Sequence, residues 1–221
     1  VIKQVISIFE KEVRLEWRNK TAFNGILLYL VSTIFICYLS FNVRTGQMQT
    51  VTWNALFWII IVFANINGVA KSFLQEGEGR MLYYYTLCKP EVILSGKLIF
   101  NILLSVVIAI IGFAVYAIIL GNQVSNHIYF LLTILFAAIG FSGVLTLVSG
   151  IVSKANNSTA LMAVLSFPIL LPILLMSVGL SKNAIDGIDI SLMNDKLFTL
   201  ISVDAIVITT AYILFPFIWR N

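Results

Sequence analysis

Residues Leu98–Leu120 read LIFNILLSVVIAIIGFAVYAIIL, twenty-three positions without one charged side chain. At about 1.5 Å per residue such a run, coiled as a helix, spans the roughly 30 Å hydrocarbon core of a bilayer. A helix also satisfies its own backbone N–H and C=O groups there, where water cannot. Five similar runs occupy residues 23–41, 51–70, 127–148, 159–180 and 197–218. All have helical length, and none alternates with the period of two that marks a barrel strand. The expected fold is an all-α integral membrane protein, a single domain of six transmembrane helices over residues 1–221.

Composition agrees. Hydrophobic residues make up 60% of the chain, charged residues 11%, and the mean hydropathy is +0.99. A soluble domain carries about 25% charged residues, so this surface lacks the charge to live in water. Residues 1–20 are rich in charge instead of holding a short apolar core, so no cleavable signal peptide is expected and the first run stays as a span. Cys37 and Cys88 have no metal or haem-attachment spacing and read as free thiols.

Orientation follows the lysines and arginines. The N-terminal segment, the segment after the second run, the segment after the fourth and the tail together hold eleven; the alternate connections hold three, Arg44, Lys182 and Lys196. Both termini are therefore expected in the cytoplasm, in a multi-pass membrane protein. The net charge of +4 is explained by residues flanking spans, next to anionic membrane lipids, and calls for no nucleic-acid partner.

Outside the spans, residues 1–20 fit an amphipathic interfacial helix. Ile2, Val5, Ile6, Phe9, Val13 and Trp17 recur at helical spacing, with Lys3, Glu10, Lys11, Arg14 and Arg18 on the remaining surface. The longest connection, residues 71–97, carries Glu76-Gly77-Glu78-Gly79-Arg80-Met81-Leu82-Tyr83-Tyr84-Tyr85. Gly77 and Gly79 permit a sharp turn, and residues 80–87 suit a short helix that closes before Pro90. Three tyrosines there fit either an aromatic belt beside a reverse turn, or a cytoplasmic coupling helix between spans two and three that docks an ATPase. The acidic connection 181–196, with Asp186, Asp189 and Asp195, lacks a calcium-loop pattern and reads as solvated.

Asp204 is the one ionisable residue inside a run, about two turns from its outer end. With no charged partner at mid-depth it does not build an ion-coupled transporter, and Asp204→Asn is expected to have only a mild effect. Energy must come from elsewhere. Asn65, Asn67 and Asn101 add polarity near the inner side, and Ala138, Ser142, Thr146 and Gly150 form a narrow face for helix packing. Pro168 and Pro172 each remove a backbone hydrogen bond and are expected to bend the fifth span, as a gate requires. His127 is the sole histidine; haem contact is one reading, and an interfacial residue beside Tyr129 the other.

No catalytic constellation or metal-ligand set emerges, so no enzymatic chemistry is expected. Ser95-Gly96-Lys97-Leu98 only brushes against a phosphate-binding loop. Glu91 stands where the first glycine belongs, and Leu98 cannot ligate magnesium. ATP would be bound by a separate subunit.

The chain resembles the CcmB family, the haem exporter protein B of the cytochrome c maturation system, related to type-2 ABC export permeases. The resemblance rests on Phe9-Glu10-Lys11-Glu12-Val13-Arg14-Leu15, on Glu76-Gly77 followed by Leu82, Pro90 and Lys97, and on Phe167-Pro168-Ile169-Leu170-Leu171-Pro172. Gly79 and Arg80 stand where the family often has Leu and Glu. It implies an inner-membrane permease that pairs with an ATPase, CcmA, and works with CcmC, CcmD and the haem chaperone CcmE. ATP use would be linked to haem export or to release of the loaded chaperone, and a half-transporter of this kind would form a homodimer. A type-2 permease for a lipid, polysaccharide or drug would share the architecture, and a non-transporting membrane scaffold would share the helices.

Overall fold

The computed structural model describes residues 2–18, 20–45, 48–69, 73, 89–154 and 159–220, and seven helices hold nearly all of these described residues. They are α1 (Ile2–Arg18), α2 (Lys20–Thr45), α3 (Thr50–Val69), α4 (Pro90–Leu120), α5 (His127–Lys154), α6 (Thr159–Asp186) and α7 (Ile190–Arg220). No strand occurs among the described residues. Among the described residues six stretches are long and apolar enough to cross a membrane: Phe23–Phe41, Thr50–Val69, Pro90–Leu120, His127–Ser153, Leu161–Asp186 and Ile190–Trp219.

Several helices outrun the apolar stretches that betray them. α4 and α7 each have 31 residues, about 46 Å at helical rise against a hydrocarbon core of roughly 30 Å. Their ends therefore stand in the headgroup layers or beyond, where water solvates charged side chains without breaking the helix. α4 starts at Pro90, with Glu91 in its first turn. Proline lacks an N–H that would be orphaned at that position anyway, and an acidic side chain suits a helix N-terminus. Pro90 thus opens a helix here; the short helix expected over residues 80–87 lies outside the described residues. The acidic connection 181–196 is likewise mostly helical, with only residues 187–189 between α6 and α7. Gly187, at φ +68°, makes the turn, and Ile188 N–H closes it by donating to Asn183 O at 3.1 Å.

α5 is the axis of the bundle. It packs against α3, α4, α6 and α7, and every residue from Phe141 to Gly150 is buried. The outer faces of the other spans expose large apolar side chains, such as Leu28, Ile118, Val164 and Phe217, which is what a lipid-facing surface requires. α1 lies against α4, with a lesser contact to α2. The bundle therefore has one end that gathers α1 and the C-terminus of α7, the terminal end, and an opposite end.

Candidate functional site

At the terminal end Lys97 of α4 is fully buried, an arrangement a lysine tolerates only with compensation. Two groups contribute, a carboxylate and an aromatic ring. Its Nζ donates to Glu12 Oε1 of α1 at 2.9 Å. The same oxygen lies 2.8 Å from Lys11 Nζ. The Lys97 ammonium also sits 4.6 Å from the centre of the Phe73 ring, a cation–π contact. Beside it Gly96 gives α1 room. A Cβ there would stand 2.6 Å from Ile8 Cγ2 and 3.2 Å from the Val5 carbonyl oxygen. Ser95 Oγ donates to Glu91 O at 2.6 Å and lies 2.8 Å from Tyr212 Oη of α7. Ser95-Gly96-Lys97 is thus the joint at which α4 meets α1 and α7.

Phe73 is the keystone of that joint. Its N–H donates to Ser149 Oγ of α5 at 3.1 Å. Its ring packs on Phe215 at 5.5 Å and Trp219 at 6.3 Å, both on α7, and those two rings stack on each other at 5.4 Å. Ile8, Val92, Ile93 and Leu94 complete the cluster. Four helices therefore converge on a residue three positions ahead of Glu76. The expected docking residues, Glu76, Gly77, Glu78, Gly79, Arg80, Met81, Leu82, Tyr83, Tyr84 and Tyr85, all lie outside the described residues.

Further into the bundle, the narrow face of α5 is buried over Ala138, Ser142, Thr146 and Gly150. Asn101 Nδ2 of α4 donates to Thr146 Oγ1 at 2.8 Å, and Ser142 Oγ donates to Ala138 O at 2.5 Å. Asn65 turns inward and donates to Ile61 O at 2.8 Å, while Asn67 is exposed. The Asn101–Thr146 bond ties α4 to α5, as weakly polar residues do in membranes, while Ser142 and Asn65 bond to carbonyls of their own helices.

Asp204 is placed differently from its sequence position. α7 begins at Ile190, so Asp204 sits fourteen residues, about 21 Å, along the helix instead of near its outer end. It is buried, and neither carboxylate oxygen has a hydrogen-bond partner among the described residues. The carboxylate occupies the notch left by Gly140 of α5, where any Cβ would collide with it.

The opposite end is closed by aromatic packing. Trp53 meets Tyr116 edge-on at 4.9 Å, and its Nε1–H donates to Gly121 O at 3.0 Å. Trp58 Nε1–H donates to Ser181 Oγ at 2.7 Å, and Asn54 Nδ2 donates to Val178 O at 2.9 Å. His127 is exposed at the start of α5, with Nε2 2.8 Å from Asn122 Nδ2. Pro168 and Pro172 lie inside a continuous α6, one turn apart, and both are exposed on its outer side. The structure keeps the three groups apart: His127 at the opposite end, the prolines on the outside of α6, and the joint around Phe73 at the terminal end.

Glu12, Phe73 and Asp204 with Gly140 are the features that sequence patterns left unassigned as a site. Lys97 stood out in the sequence only at the edge of an apolar run, in a partial phosphate-loop pattern and in the family resemblance, and none of these pointed to its pairing with Glu12. Neither curated proteins nor solved structures offer a match to this chain. A family model does: the CcmB protein model matches residues 3–217. That match takes in the α1 joint, all six spans and the connection between α3 and α4, so the chain belongs to the CcmB family and is a membrane permease of the haem-exporter ABC type, acting in cytochrome c biogenesis.

Proposed function

We propose that this chain is the motor-driven permease of an ATP-powered complex in cytochrome c maturation, working in haem export or in release of the haem-loaded chaperone. The observation that carries the reading is the anchoring of Phe73. A pull on the segment that follows it reaches α7 through Phe215 and Trp219, and α5 through the bond to Ser149. It reaches α4 and α1 through Lys97 and Glu12. A force applied at one place is thereby divided among four helices.

In this reading a CcmA-like ATPase docks on residues 76–85, and Tyr83, Tyr84 and Tyr85 supply its apolar contact. ATP is bound and hydrolysed there, and this chain is no enzyme. Both termini face the cytoplasm from the inner membrane, and α1 lies in the headgroup layer with Trp17 outward. Two copies pair as a homodimer, with CcmC-, CcmD- and CcmE-like proteins as partners and haem as cargo. Pro168 and Pro172 each withdraw a backbone donor from α6, which leaves that helix the one most ready to bend.

The test is affinity purification of this chain from its native membrane in mild detergent, with mass spectrometry and a haem absorbance scan. A soluble ATPase together with cytochrome c maturation subunits is the expected result. An ATPase without those subunits would keep the permease and discard the haem assignment. Recovery of no ATPase would overturn the motor-driven reading.

A further inference from the structure

Glycines of α5 line its seam with α7. A Cβ on Gly143 would stand 3.3 Å from Val207 and 3.4 Å from Ile208, and one on Gly150 would stand 3.0 Å from Phe215. At Gly140 the facing group is the Asp204 carboxyl, and Ile173 Cδ1 of α6 reaches into the same notch, 3.0 Å from where a Cβ would be. Val207 and Ile208, one turn further along α7, continue the apolar wall. Asp204 is 3% exposed, and neither of its oxygens has a hydrogen-bond partner among the described residues. An ionised carboxylate with no water, no donor and no counter-charge is among the costliest groups a protein can bury.

The helices packed against α7 bring no cation to relieve that cost. On α7 itself Lys196 stands eight residues earlier, about 12 Å away along the axis, and its Nζ donates to Asn183 Oδ1 at 3.2 Å. Asp195 beside it is exposed, and Arg220 ends the helix. Tyr212, eight residues later, has its hydroxyl 2.8 Å from Ser95 Oγ. On α6 the ionisable residues are Lys182 and Asp186, both exposed near its end. On α4 Glu91 lies in the first turn, Lys97 is held by Glu12, and Tyr116 donates to Trp53 O. On α5 they are His127, Tyr129 and Lys154, each eleven or more residues from Gly140. A hard metal ion asks for several oxygen ligands, and the notch offers one carboxyl among hydrocarbon walls. A proton asks only for the carboxyl. We propose that Asp204 is a proton-binding site, and that its acid form is the group fitted to the Gly140 notch. The bound proton leaves the α5–α7 seam without an ionic lock, and parting of the two helices is the event that exposes it to water. Asparagine has the shape of the neutral acid, which accords with a mild effect of Asp204→Asn. Asp204 holds this proton whether or not an ATPase drives the permease.

The experiment is infrared spectroscopy of the full chain in nanodiscs in neutral buffer, with and without heavy carbon in the side-chain carboxyl of aspartate. The chain has four aspartates, and Asp186, Asp189 and Asp195 are exposed. A carboxylic-acid carbonyl stretch that moves with the label is expected, and it should be lost in Asp204→Asn. Label-sensitive bands of ionised carboxylate alone would overturn the site, as would an acid band that survives in Asp204→Asn. Should that variant fail to fold, the label alone assigns the band, because the other three aspartates are solvated. Transfer to heavy water then tests the notch. The acid band should exchange slowly in the native protein and at least severalfold faster in Gly140→Ala, whose methyl group displaces the carboxyl. Equal exchange rates would show that Gly140 does not enclose the proton, and would refute the assignment of the acid form to the notch.

Discussion

Glu12 and Lys97 are 85 positions apart in the chain, yet they form the most consequential polar contact at the terminal end. Lys97 has no water to fall back on, whereas Glu12 holds a second cation, Lys11, whose side chain is 31% exposed. That asymmetry predicts unequal damage. Glu12→Gln takes the carboxylate counter-charge from the buried Lys97 ammonium and should lower stability by up to about 3–5 kcal/mol, the range for breaking a buried pair from one side. Lys97→Met leaves Glu12 with Lys11 and should cost clearly less. The double variant Glu12→Leu/Lys97→Met, with no charge to strand, should be more stable than Glu12→Gln alone. Thermal unfolding of the three purified variants in one detergent checks the order; a Lys97→Met variant less stable than Glu12→Gln would refute the account.

Among the elements, α5 shows what could be read beforehand and what could not. The recurrence of Ala138, Ser142, Thr146 and Gly150 at four-residue intervals identified a packing face, and that face is buried against its neighbours and bonded to Asn101. Periodicity within one helix is local information, so it survives in the sequence. The helix ends are less legible. Hydropathy falls at Lys97 and Lys182, but the helices run through both, because a charged residue leaves hydrocarbon by helix extension as readily as by a turn. Partners are least legible of all. Gly140 carries no mark that it receives Asp204 from α7, because a glycine in an apolar run says nothing of what fills the space beside it. The seam between α5 and α7 gives a direct test. Gly140→Ala drives a methyl group into the Asp204 carboxylate and should destabilise by about 1–3 kcal/mol, as overpacking of a fitted interior does. Asp204→Ala empties the same space, so adding it to Gly140→Ala should restore part of the loss. A double-mutant cycle by thermal unfolding should then show coupling of about 0.5–3 kcal/mol; simple additivity would mean that the two residues do not meet.

At the scale of the whole molecule, what matters is how a membrane bundle with no nucleotide loop of its own could be moved. Six spans and a basic flank were legible because bilayer thickness and the distribution of lysine and arginine leave a strong imprint on sequence. The point of force entry was not, because it depends on where one phenylalanine from a polar connection is received by four helices. If Phe73 transmits motion, its loss should separate binding from work. Phe73→Ala removes the ring that Phe215, Trp219 and Lys97 share, while residues 76–85 and the apolar core around α5 stay intact. The ATPase subunit should therefore still co-purify with the variant, and the six spans should still unfold cooperatively. Any stimulation of ATP hydrolysis that the native permease gives in reconstituted membranes should fall at least severalfold. Phe73→Leu keeps an apolar plug without the ring face that Lys97 uses, so it should lie between the two. Loss of ATPase binding in Phe73→Ala would place Phe73 in the docking surface itself. Undiminished stimulation would show that force enters the bundle by another route, and the convergence of α1, α4, α5 and α7 on this residue would then serve stability alone.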